Sequence, residues 1–176
     1  MILMKINKRN NVFETNSSSI HAICIDKKQP TYYPPHLSFR FGEFGWENEC
    51  YNDYYANASY LYQALLGLTS QYGSKDYIGK YDECCEYIRE VLAKHNVECD
   101  FETGEIDWHS YMGNGYIDHV NQLDEWFDDL MKDDDKLIRF IFSDNSYIVT
   151  GNDNDDFGRP DVDEDEDNVE VYWKYN

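Results

Sequence analysis

The chain has 176 residues, of which 41% are apolar and 25 are Tyr or Phe (16 and 9), and it carries 35 acids against 15 bases, a formal net charge of −20. That length suits one domain with a real core, and the aromatic content excludes simple disorder, because burying rings offsets chain entropy. The charge excludes DNA, RNA and anionic membranes as attractive partners within about a Debye length, ~8 Å at physiological salt, and directs attention to basic surfaces.

The opening MILMKINKRNN has too short an apolar part, with its charges behind it, for a secretion signal. No apolar run approaches the ~20 residues of a membrane span, so the chain is expected in the cytoplasm. Residues 4–6 and 19–25 read as strands on either side of the polar stretch FETNSSS. The second, SIHAICI, alternates: Ile20, Ala22 and Cys24 share one side, and His21, Ile23 and Ile25 the other. KKQPTYYPPH is a loop, since Pro34 and Pro35 exclude helix. LSFRF is a strand and GEFGWENE a turn-rich connection.

Residues 51–72 are expected to be helical, because Ala58, Leu61, Tyr62, Leu65 and Leu68 recur at spacings of three and four. Residues 76–95 form a second helix with Ile88, Val91 and Leu92 inward. VECDFETGEIDWH reads as a hairpin turning at Thr103 and Gly104. A third helix covers residues 116–131, with Val120, Leu123, Phe127 and Leu130 inward. Asp133, Asp134 and Asp135 follow it, a poor helix C-terminus because anions oppose the dipole there. KLIRFIF and SYIVT form a second hairpin around SDN, and VEVYWKY is a closing strand. This order predicts an α+β fold, with a mostly antiparallel sheet, about three helices and a single domain over residues 1–176.

Residues 151–170 differ in character: ten acids face one base, Arg159. An acidic loop over 151–168 before the last strand is either a solvated connection or an anionic surface offered to a basic partner. Within it, Asp153, Asp155, Gly158 and Glu164 match positions of a calcium loop. Phe157 and Pro160 break that pattern, and the flanks read as strands rather than helices.

The serines 17–19 lie close to His21, but no strand–turn–helix elbow accompanies them, and serines and Asn16 also shape turns by bonding their own backbone. The odd set Cys24, Cys50, Cys84, Cys85 and Cys99 argues against a disulfide framework and leaves buried thiols or metal ligands. A zinc site would have to be assembled from distant segments. Cys84 and His95 share a helix face but lie roughly 16 Å apart along the axis, too far for one ion. Cys84 and Cys85 diverge by ~100°. His95 and Cys99 straddle a helix end, whereas His21 and Cys24 point to opposite sides of a strand.

The string VFETNSSSIHAICI (12–25) resembles the opening of a family of small phage and prophage proteins of Gram-positive bacteria. Further similarity runs through FGEFGWE (41–47), ASYLY (58–62), YIDH (116–119) and SYIVTGNDN (146–154), and the acidic segment after it has no counterpart. The resemblance implies a prophage-encoded accessory protein acting in the cytoplasm of a bacterial host cell. Some such proteins are anti-CRISPRs of type II-A systems, which makes the RNA-guided nuclease itself the expected partner. Matched residues able to bind metal are His21, Glu43, Glu47, Asp118 and His119; the ligand set expected for a structural zinc is His21, Glu47 and His119, with Cys24, Cys50, Cys84 and Cys99 as second candidates.

The resulting expectation is a non-enzymatic, acidic inhibitor that makes no direct contact with nucleic acid or membrane. It binds a type II CRISPR nuclease and blocks target DNA loading or cleavage, through Asp153, Asp155, Asp156, Asp161, Asp163, Glu164, Asp165, Glu166 and Asp167. The alternatives are a metalloenzyme using His21 and His119, with Glu47 or Asp118 as base, and a phage structural or assembly protein.

Overall fold

The computed structural model describes residues 19–45, 48–104, 116–117, 119–152 and 168–174. Its main sheet has four antiparallel strands in the order β4-β7-β1-β8: β1 is Ser19–Asp26, β4 Glu49–Tyr51, β7 Tyr147–Asn152 and β8 Val169–Lys174. β1 runs through the interior and both its faces are buried, so its clean alternation separates two buried sides rather than core from solvent. Ile23 and Ile25, on the His21 side, join the main hydrophobic core.

That core is organised around α1, Tyr54–Thr69. Asp53 starts it by accepting hydrogen bonds from the Tyr55 and Ala56 backbone amides at 2.9 and 3.0 Å, the usual role of an N-cap carboxylate. The helix is buried on nearly every side, because other elements pack around it. Asn57 Nδ2 donates to the Phe140 and Ser146 carbonyls at 3.0 and 3.2 Å. Gly67 lets the chain at Val120 approach the helix closely: a Cβ there would lie 2.7 Å from Val120 Cγ1. α2, Tyr81–Ala93, is one-sided, with Cys84, Cys85, Ile88, Val91 and Leu92 buried as its spacing implies.

The α+β class and the mostly antiparallel sheet are as expected, but three elements differ. KLIRFIF is not a strand: it lies in α4, Asp134–Phe142. A short apolar run carries no decisive period, and the preceding aspartates settle the matter. Asp133 caps α4 by accepting from Lys136 N at 2.9 Å, and Asp134 and Asp135 sit in its first turn, where the dipole favours anions. The triple aspartate therefore begins a helix instead of badly ending one, and SYIVT pairs with β1 and β4 rather than in a hairpin. Asp133→Ala should lower stability by about 1 kcal/mol, read from the midpoint of urea unfolding at unchanged slope.

The expected third helix is divided. Tyr116–Ile117 is a short strand, β6, paired in parallel with β3, Glu43–Phe44. His119 adopts a left-handed φ of 51° and precedes a 3-10 turn, Val120–Leu123, which leads into α3, Asp124–Leu130. β5, Glu98–Phe101, pairs in parallel with β2, His36–Phe39. Residues 105–115, the other half of that expected hairpin, lie outside the described residues, as does the expected strand 4–6. No helix among the described residues is long and apolar enough to cross a membrane.

Candidate functional site

Two polar features stand out, and β8 contributes to both. The first is a buried centre at the start of β1. Antiparallel pairing sets His21 opposite Lys174, and both are 0% exposed. His21 Nδ1 lies 2.8 Å from the Tyr60 hydroxyl on α1. Burial, with the Lys174 ammonium adding to it, pushes the imidazole down to about 3; the Gly45 backbone favours the charged ring but does not offset them. His21 is therefore neutral at physiological pH, and its Nε2 has no well-formed hydrogen bond among the described residues.

Lys174 Nζ donates to the Ser19 carbonyl at 2.7 Å and to Ser19 Oγ at 2.9 Å. The serine hydroxyl thus faces Lys174, not His21. As a donor to both oxygens, the ammonium has no lone pair with which to activate the hydroxyl, so the contact anchors β8 to the head of β1 rather than preparing a nucleophile. Ser17 and Ser18 lie outside the described residues.

The second feature is a groove of about 340 Å³ between β8 and the 3-10 turn and α3. Its walls include Glu125, Trp126, Asp129, Glu170, Tyr172 and Trp173, and no Lys or Arg lines it. Four consecutive residues of β8, 170–173, face it, so the groove follows the strand's edge rather than one of its faces, along which only alternate residues would appear. β1 holds the other edge of β8.

Behind the groove, Lys136 on α4 donates to Asp129 Oδ2 at 2.9 Å, Glu170 Oε1 at 3.0 Å and the Tyr172 hydroxyl at 2.7 Å. The Tyr172 proton is shared between Asp129 and Glu170. Bonds from Tyr172 and then Lys136 hold the Asp129 carboxyl below its usual range. Burial pulls the Lys136 ammonium down, but the bonds from Tyr172, Asp129 and Glu170 together outweigh it and raise the group. One cation is thus shared by two carboxylates. Glu125, exposed at the rim, makes no hydrogen bond or ion pair among the described residues.

Among the described residues, those expected to hold zinc differ in element and burial. His21 is buried, whereas His119 is exposed at its turn. Glu47 and Asp118 lie outside the described residues, and Glu43 is exposed in β3. Cys24 is buried on the face of β1 opposite His21, Cys50 is exposed in β4, Cys84 is buried in α2 and Cys99 half-buried in β5. Burial pushes the Cys84 and Cys99 thiols up to about 11, the behaviour of packed protonated groups. His95 stacks on Tyr33 with ring centres 4.7 Å apart. Among the described residues, no three His, Cys, Asp or Glu side chains come together to hold a metal ion. The acids from Asp153 to Asp167 expected to meet the partner also lie outside the described residues.

Sequence reasoning missed Glu125, Asp129, Tyr172, Trp173 and the buried Lys174. A lysine ending a strand that is apolar and aromatic but for Glu170 was the one available signal for Lys174. Nothing in local spacing could join Asp129 to Glu170, because the docking of β8 beside α3 brings them together. No family model matches the chain, and no curated protein and no solved structure matches it significantly.

Proposed function

We propose that the chain is a phage-encoded binding protein that docks on the nucleic-acid-holding face of a type II CRISPR nuclease and blocks target DNA loading or cleavage. The observation that carries this reading is the net charge of −20, with nine of the acids in the stretch 153–167 that joins β7 to β8. A surface that holds nucleic acid is lined with Lys and Arg. Clustered carboxylates compete for those cations and are steered to them over long range. The carboxylate groove beside β8 adds to the same anionic side of the chemistry, and the similarity of the opening string to phage proteins supplies the choice of partner.

The test is capture of purified effectors by the immobilised protein, with and without guide RNA and target DNA. Binding is expected to the effector lacking DNA, weakening by an order of magnitude or more between low and high ionic strength. Affinity indifferent to salt, or capture of no effector, overturns the proposal.

A zinc ion held by His21, Glu47 and His119 belongs to the same proposal, supported by a neutral imidazole whose Nδ1 is already oriented by Tyr60 and whose Nε2 makes no well-formed hydrogen bond among the described residues. The Lys174 ammonium beside the ring opposes it. Metal analysis of the purified protein decides: a stoichiometric ion lost in His21→Ala supports the site, and protein free of metal removes it.

A further inference from the structure

The groove along β8 has the shape and chemistry to receive an extended cationic segment. We propose that it seats an extended basic segment of a protein partner, with an arginine side chain directed at Glu125 and Asp129; this rests on the reading of the protein as an acidic ligand of a basic surface. Three carboxylates, Glu125, Asp129 and Glu170, line about 340 Å³ of open space with no lysine or arginine among the lining residues. Lys136 approaches from behind and serves Asp129 and Glu170 together, leaving the groove net negative.

The walls favour a guanidinium over a small hydrated cation. Trp173 is the half-buried ring on which a planar cation stacks, since the Tyr172 ring already has Lys136 Nζ 5.4 Å from its centre. The strand edge favours an extended backbone, because a segment lying along β8 runs parallel to the wall formed by residues 170–173. Trp126 lines the same groove and is 1% exposed, yet its Nε1 donates to nothing among the described residues. Seating a peptide carbonyl as its acceptor requires the wall beside this buried atom to shift on binding.

The probe is a synthetic peptide of alternating Arg and Ala, with a Glu–Ala peptide as control, titrated calorimetrically into the full chain at low ionic strength. The Arg peptide is expected to bind and the Glu peptide not to bind. Glu125→Lys should weaken binding about tenfold or more, since it removes one charged partner and adds a like charge. Glu90→Lys, on the exposed side of α2 away from the groove, makes the same change in net charge and should cost less than about twofold. Amide shifts on peptide addition should fall on residues 170–173. Equal losses in the two variants, or no binding of the Arg peptide, overturn the groove. If the groove fails but the chain still captures a nuclease in a salt-dependent way, the proposed function stands. If the groove binds the peptide and no nuclease is captured, the partner is a different basic protein.

Discussion

Acidification from neutral pH to about pH 4.5 is expected to destabilise the protein by about 3 kcal/mol more than it destabilises a His21→Gln variant. The imidazole is pushed from its ordinary 6.5 down to about 3 by burial and by Lys174. Above 6.5 the ring is neutral in both folded and unfolded chains, and its burial carries no charge penalty. Between 6.5 and about 3 the unfolded chain takes up a proton that the folded chain refuses, so stability falls steadily as pH falls. Among the described residues, Lys174, Tyr60 and the Gly45 backbone face the ring, and none of the three is an anion that would stabilise the imidazolium. The depressed carboxyls of Asp128, Asp129 and Asp134 act later, because their unfolded value is 3.8. The upper part of the window therefore isolates His21. Relief of the repulsion within a chain of net charge −20 is common to both proteins and cancels in the difference. Urea unfolding of the two proteins at neutral pH and near pH 4.5 measures it, and a difference that stays constant with pH would sink this account of the buried ring.

Trp126→Ala should cost about 3–5 kcal/mol, while Trp126→Phe should cost clearly less. Trp126 is the largest fully buried side chain among the described residues. Its ring meets Tyr60 edge-on at 5.6 Å and Phe140 at 5.2 Å, so it joins α3 to α1 and to α4 at one point. Truncation leaves a cavity that three separately anchored elements cannot close by collapsing together. Phenylalanine keeps most of the edge contacts, and the lost N–H made no hydrogen bond among the described residues, so no partner is left stranded. Because Tyr60 also holds His21 Nδ1, the alanine variant should loosen the polar centre too, reducing the acid sensitivity described above. Equal losses for Ala and Phe would mean that the indole N–H, not ring packing, is what the fold requires.

Helices and strands were legible where one physical signal acted alone. The apolar spacing in residues 58–68 identified α1, although packing on every side was not visible in it. The one-sided pattern of Ile88, Val91 and Leu92 identified the buried face of α2. At KLIRFIF two signals conflicted: the run is apolar enough for a strand, while Asp133 begins a helix by satisfying an otherwise unpaired amide. Reading the aspartates as an N-terminus rather than a C-terminus resolves the conflict, since the same charge is favourable at one end of the dipole and unfavourable at the other. The pairing of β5 was not legible for a different reason: it joins a strand some sixty residues earlier, His36 opposite Glu98, and no local turn signal encodes such a partner.

By itself, the amino-acid order determined the class of the fold, the aromatic character of its core, the sides of β1 and the large negative charge, because each depends on residue type and short-range spacing. Only the tertiary structure decided that His21 would be neutral beside Lys174, that Ser19 would face a lysine, and that Asp129, Glu170 and Tyr172 would share one ammonium next to an open groove. Those outcomes depend on strand register and on the docking of β8 against α3, contacts between residues far apart in the chain whose energies no single segment contains.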